Sequence, residues 1–145
     1  MLALVGLFFF ISSAVGADFC IKRVENPYPE PYLDFTFRKR LERAILETGN
    51  TIVCKEGSQE IIPKVELLKE TPIAFTPQQR VSAYNLELRV SLTVNGKGQS
   101  FSTVVPYSQP DGSFGDLPRR GAIEDAFGII YIEMLEFIKR SEEGK

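Results

Sequence analysis

The clearest pattern along the chain lies at 82–94, where Tyr84, Leu86, Leu88, Val90, Leu92 and Val94 alternate with Asn85, Glu87, Arg89, Ser91 and Thr93. Alternation at period two predicts a strand buried on one face and wetted on the other. Asn95-Gly96-Lys97-Gly98 then reads as a hairpin loop rich in residues that accept a positive φ, and 99–107 as the returning strand. A further strand is expected at 60–69, with Pro63 marking an edge position or a bulge. Between these strands, Thr71-Pro72-Ile73-Ala74-Phe75-Thr76-Pro77 reads as a loop tip, either offering apolar side chains to a partner or folding back on the core.

Two segments carry the other periodicity. Leu33, Phe37, Leu41, Ala44, Ile45 and Thr48 recur at three- and four-residue spacing, which predicts a helix over 33–48 ended by Gly49-Asn50. A second helix is expected from Pro118, with Ile123, Ala126, Phe127, Ile130, Tyr131, Met134, Leu135 and Ile138 on its apolar face. Ile129, Ile132 and Phe137 widen that face, and 141–145 reads as a frayed tail. Short strands are expected at 19–25 and 51–55, the first followed by a stiff proline-bearing loop, Pro27-Tyr28-Pro29-Glu30-Pro31. The order β-α-β-β-β-β-α predicts an α/β (α+β) two-layer sandwich, with two helices on one face of a mixed four- to five-stranded sheet.

The N-terminus adds a compartment. Residues 1–17 hold no charged side chain, with an apolar run at 2–11 and then small residues, the order of a secretory signal, although no Lys or Arg precedes the run. The expected organisation is a signal at 1–17, one domain at 18–140 and a tail at 141–145.

Charge and composition then narrow the chemistry. A formal charge of −2 argues against a general nucleic-acid binder, which needs a basic stripe. The chain has no histidine, which removes Ser-His and Cys-His pairs and histidine-bearing zinc sites. Glu124 and Asp125 are adjacent and diverge on a helix. Gly96-Lys97-Gly98 lacks the spacing of a phosphate loop, and Gly112-Ser113-Phe114-Gly115 lacks the nucleophile-elbow frame. The expectation is therefore a protein that is not an enzyme, takes no cofactor or metal, and works by binding. Cys20 and Cys54 admit three readings: one disulfide, a lipid-modified Cys20 after signal cleavage, or two buried thiols. Ala17-Asp18-Phe19 before Cys20 makes a poor lipobox.

The strand 21–26, its proline-bearing loop, the Leu33/Phe37/Leu41/Ile45 helix, Gly49, the 83–92 strand and the final long helix together resemble the LptE family of lipopolysaccharide-assembly proteins. The likeness lies in order and pattern and spans about Ile21 to Arg140. It implies a location on the periplasmic side of the outer membrane, partly inside a large LptD-like β-barrel partner, with help in barrel assembly and receipt of lipopolysaccharide. Under that resemblance Asn85, Glu87, Arg89, Ser91, Thr93 and Phe75 are the expected barrel contacts. Arg80, Lys97, Arg119 and Arg120 are the candidates for lipid A or core phosphates, although none aligns one-to-one with a family ligand contact. An adaptor that binds another cell-envelope protein without lipid is the alternative.

Overall fold

The computed structural model describes residues 16–109 and 117–143. The expected signal segment therefore lies outside the described residues except for Gly16 and Ala17, as do Gly112-Ser113-Phe114-Gly115 and the last two residues. The described elements are β1 (Asp18–Ile21), α1 (Pro31–Glu47), β2 (Thr51–Ile52), β3 (Gln59–Phe75), β4 (Val81–Val94), β5 (Lys97–Ser108) and α2 (Leu117–Glu143). The strands form one five-stranded sheet in the order β2-β1-β3-β4-β5. β1 runs parallel to β2 and β3, and the β3, β4 and β5 pairings are antiparallel. This is the mixed α+β sandwich that the periodicities predict.

Alternation places the core. Leu86, Leu88, Val90 and Leu92 are fully buried and Val94 nearly so, all from one face of β4. Both helices cover that face. Phe37 of α1 meets Phe127 of α2 with ring centroids 5.3 Å apart, and Phe101 of β5 meets Phe137 of α2 edge-on at 6.1 Å. The opposite face of the sheet has no helix packed on it among the described residues.

Several boundaries differ from the sequence-based expectation. The segment 71–75 is strand, not loop: Thr71 pairs with Asn85, Pro72 with Tyr84, Ala74 with Ala83 and Phe75 with Val81. Cross-strand pairing overrides the turn signal of Thr71-Pro72 there, at the cost of register shifts on both sides of Ala74. Pro63, expected to mark an edge position or a bulge, is paired with Leu92 of β4, and the bulge falls between Val65 and Leu67. Pro63 is accommodated differently. The Ile61 carbonyl, the Pro63 carbonyl and the Val65 N–H all engage the β1 side, accepting from Lys22 N–H, accepting from Glu25 N–H and donating to the Glu25 carbonyl. Pro63 has no N–H to offer that side, and regular β1 pairing stops at Ile21↔Ile61, resuming as one bridge at Glu25↔Lys64. β1 is thus shorter than the expected 19–25.

The helices also differ in detail. α1 begins at Pro31, because proline suits the first turn, and α2 continues through 141–143, which had read as frayed. Ile129 and Ile132 do not join the buried face: they are 57% and 64% exposed, whereas Phe137 is buried. At 100° per residue, Ile123, Ala126, Phe127, Ile130, Met134 and Ile138 already fill the stripe, and Ile129 and Ile132 fall outside it.

Candidate interaction surface

The uncovered face of the sheet gathers five of the residues expected to contact a partner. Asn85, Glu87, Arg89, Ser91 and Thr93 alternate with the buried leucines and valines of β4, so they share this face. Across from them stand Thr71, Lys69, Leu67, Lys64 and Ile62 on β3, and Pro106, Val104, Ser102, Ser100 and Gly98 on β5. The result is a mixed surface three strands wide, in which hydroxyls, the Asn85 amide and charges of both signs lie among Ile62, Leu67, Val104 and Pro106. Val104 is half exposed within it, and Ser100 Oγ donates to the Glu66 carboxylate across the bulge. Phe75 is set apart from the other five, at the far end of β3 and 62% exposed.

The four cations expected at anionic groups do not converge. Arg80 lies in the turn between β3 and β4, and Lys97 begins β5 at the other end of β4. The fourteen residues of β4 between them span roughly 45 Å at the usual strand rise. Arg119 is engaged inside the fold. Its Nη1 donates to the Glu30 carboxylate and its Nε to that of Glu70, with all three side chains largely buried. Burial works against its charge, yet the two carboxylates outweigh that and raise the guanidinium pKa. Nearby Tyr107 has its phenol pushed up to about 12, first by burial and then by the Glu70 charge. Arg120 turns the other way, its guanidinium 5.3 Å from the centre of the Tyr32 ring.

A polar seam joins the two helices. Glu124 of α2 accepts from Tyr32 Oη at 2.7 Å and Thr36 Oγ1 at 3.3 Å, and pairs with Arg40 at 3.5 Å. Arg40 and Arg43 flank the Tyr131 ring at 6.0 and 5.8 Å. A cleft of about 230 Å³ opens here, lined by Thr36, Lys39, Arg40, Arg43 and Glu124. With a carboxylate at its centre already satisfied by three α1 side chains, the seam fastens helix to helix. Beside Asp125, from which it diverges, Glu124 carries no signal of its own in the sequence. The signal that locates it is Tyr32, Thr36 and Arg40 at four-residue spacing, one stripe of α1 ready to donate to a single acceptor.

Cys20, buried in β1, is bonded to Cys54, exposed just beyond β2, with Cα atoms 4.6 Å apart. With its sulfur committed to that bond, Cys20 offers no thiol for a lipid thioether. Among the described residues no group of His, Cys, Asp and Glu is placed to hold a metal, and no helix is long and apolar enough to cross a membrane.

The fold and this surface define a small α+β domain with an open polar sheet face. The chain belongs to the same family as an uncharacterized protein of Aquifex aeolicus (strain VF5), to which it is 36% identical over 133 residues, covering 92% of this chain and 89% of the relative. No family model matches the chain. Among solved structures it is similar in fold to a minor lipoprotein from Acinetobacter baumannii, at 12% identity and TM-score 0.50, covering 84% of this chain and 92% of that one. Rare lipoprotein B from Shewanella oneidensis aligns at 18% identity and TM-score 0.44, over 86% of this chain and 94% of that one.

Proposed function

We propose that this chain is a non-enzymatic protein of the bacterial cell envelope, acting as an LptE-like partner of a large outer-membrane β-barrel in lipopolysaccharide assembly. The observation that carries the reading is the asymmetry of the sheet. One face is sealed by both helices, and the other presents Asn85, Glu87, Arg89, Ser91 and Thr93. A barrel lumen is lined by polar side chains, and a polar domain face of mixed charge is the complement such a lumen takes. The similarity in fold to a lipoprotein supports the envelope setting. So does the Cys20–Cys54 disulfide, a bond favoured in oxidising compartments.

The dispersal of Arg80, Lys97, Arg119 and Arg120 bears on the lipid part of the reading. Arg119 is occupied by Glu30 and Glu70, so direct contact with lipid phosphates falls to Arg80, Lys97 or Arg120 singly, and the partner supplies the rest of any such site. The test is affinity purification of the full chain from detergent-solubilised envelopes, with mass identification of co-purifying proteins. A stoichiometric large β-barrel protein supports the reading. Recovery of only soluble envelope proteins replaces it with an adaptor that binds another envelope protein without lipid.

A further inference from the structure

The end of the β3–β4 hairpin projects beyond the core. No residue of β3 after Val65 and no residue of β4 before Leu86 is buried. β5 accompanies β4 only as far as Ser108↔Ala83, with one further bond from Gln109 N–H to the Ser82 carbonyl. Past that point the described residues of the arm form two strands, with Phe75 opposite Val81. Phe75 in that part is 62% exposed, and Ile73 just before it, between the Pro72↔Tyr84 and Ala74↔Ala83 pairs, is 48% exposed, side chains that ordinarily avoid a free tip. The turn of the β4–β5 hairpin at the opposite end of β4, around Asn95 and Gly96, carries no exposed large apolar side chain.

Three properties of the arm point to one kind of surface. Its turn is closed on itself: Thr76 N–H donates to the Arg80 carbonyl at 2.8 Å, Gln79 N–H to the Thr76 carbonyl at 2.8 Å, and Arg80 N–H to Thr76 Oγ1 at 3.2 Å. Such a turn leaves few of its own backbone polar groups unpaired at the tip. The charge is one-sided as well. Between Glu70 and Glu87 the only charged side chain is Arg80. An aromatic and an aliphatic side chain on the same arm as a lone cation suit the headgroup boundary of an anionic bilayer, where apolar side chains enter and basic residues are attracted. The third property is position, since the arm stands clear of the helix layer and the base is pinned by the Tyr84–Tyr107 stack at 5.4 Å and by the Glu70–Arg119 pair. We infer that the β3–β4 arm is a membrane-surface contact, with Phe75 and Ile73 entering the headgroup–acyl boundary and Arg80 meeting anionic headgroups. This contact is independent of the barrel partnership, and it needs no lipid on Cys20.

The chain has no tryptophan, so one introduced indole reports alone. Phe75→Trp is compared with Val104→Trp, an exposed position on the open sheet face, using the full chain and vesicles of phosphatidylethanolamine and phosphatidylglycerol. The expected result is a blue-shifted emission, quenched by brominated acyl chains, for Phe75→Trp only. In co-sedimentation, Ile73→Ser with Phe75→Ser lowers vesicle binding about tenfold, and Arg80→Glu lowers it further. Emission from Phe75→Trp unmoved by vesicles overturns the inference, as does an equal shift at Val104→Trp. A shift produced only by a purified envelope protein overturns it too, and assigns the arm to a protein partner.

Discussion

The Arg119 guanidinium donates to the Glu70 carboxylate, tying the first turn of α2 to β3 across a separation of 49 residues. Glu30, just before α1, completes the clamp from the other side. Arg119 thus joins both helices to the sheet at the end where the projecting arm begins. Arg119→Leu is expected to leave two partly buried carboxylates without their cation and to lower stability by roughly 2–3 kcal/mol. Arg120→Leu, which removes a ring contact with Tyr32, should cost less than about 1 kcal/mol. Urea denaturation of the two variants checks the contrast, and equal losses would contradict it.

The disulfide closes a loop with a sequence separation of 34 and links β1 to the segment just beyond the edge strand β2. β2 has only two paired residues, so the bond holds that edge where backbone pairing is sparse. Removing it through Cys20→Ala with Cys54→Ala is expected to destabilise the fold by about 3–4 kcal/mol on the chain-entropy relation. Because Cys54 is exposed, reductant added to the unmodified protein should reproduce most of that shift in the urea midpoint.

Alkaline pH provides a separate test. Tyr107 and Tyr131 both have phenols pushed up to about 12, by burial first, with the neighbouring carboxylates of Glu70 and Glu47 adding to it. A raised phenol pKa means that the fold prefers the neutral ring. The stability this brings is fully present below the ordinary value of 10 and is lost as pH rises towards 12. The melting temperature should therefore fall over that window, and Tyr107→Phe should flatten the fall. A melting temperature unchanged across the window would contradict the assignment.

Local periodicity made most of the fold legible. The 82–94 alternation and the Leu33/Phe37/Leu41/Ile45 stripe each report which face is buried: the inward residues from Leu86 to Val94 and the four helix residues are at most 4% exposed, and only Tyr84, towards the projecting end of β4, is not fully covered. The misread segments are those where distant pairing overrules a local signal. Thr71-Pro72 reads as a turn, but Asn85 and Tyr84 across the hairpin hold it as strand. Ile129 and Ile132 suit a buried helix by composition, yet the stripe is full without them. The cations were the least legible, because their partners are far away in sequence: Arg119 reaches Glu30 across 89 residues and Glu70 across 49. No spacing rule within one element reveals that such an arginine is already taken.

The most direct test of the proposed role is photo-crosslinking in intact cells from the open sheet face. A photoreactive side chain replaces Arg89, and a second protein carries it at Ile132 on the outer side of α2 as the comparison. The account predicts a crosslink from position 89 to a large outer-membrane β-barrel protein, much stronger than any from position 132. Crosslinks from position 89 only to soluble envelope proteins, or a barrel crosslink from position 132 alone, would contradict it.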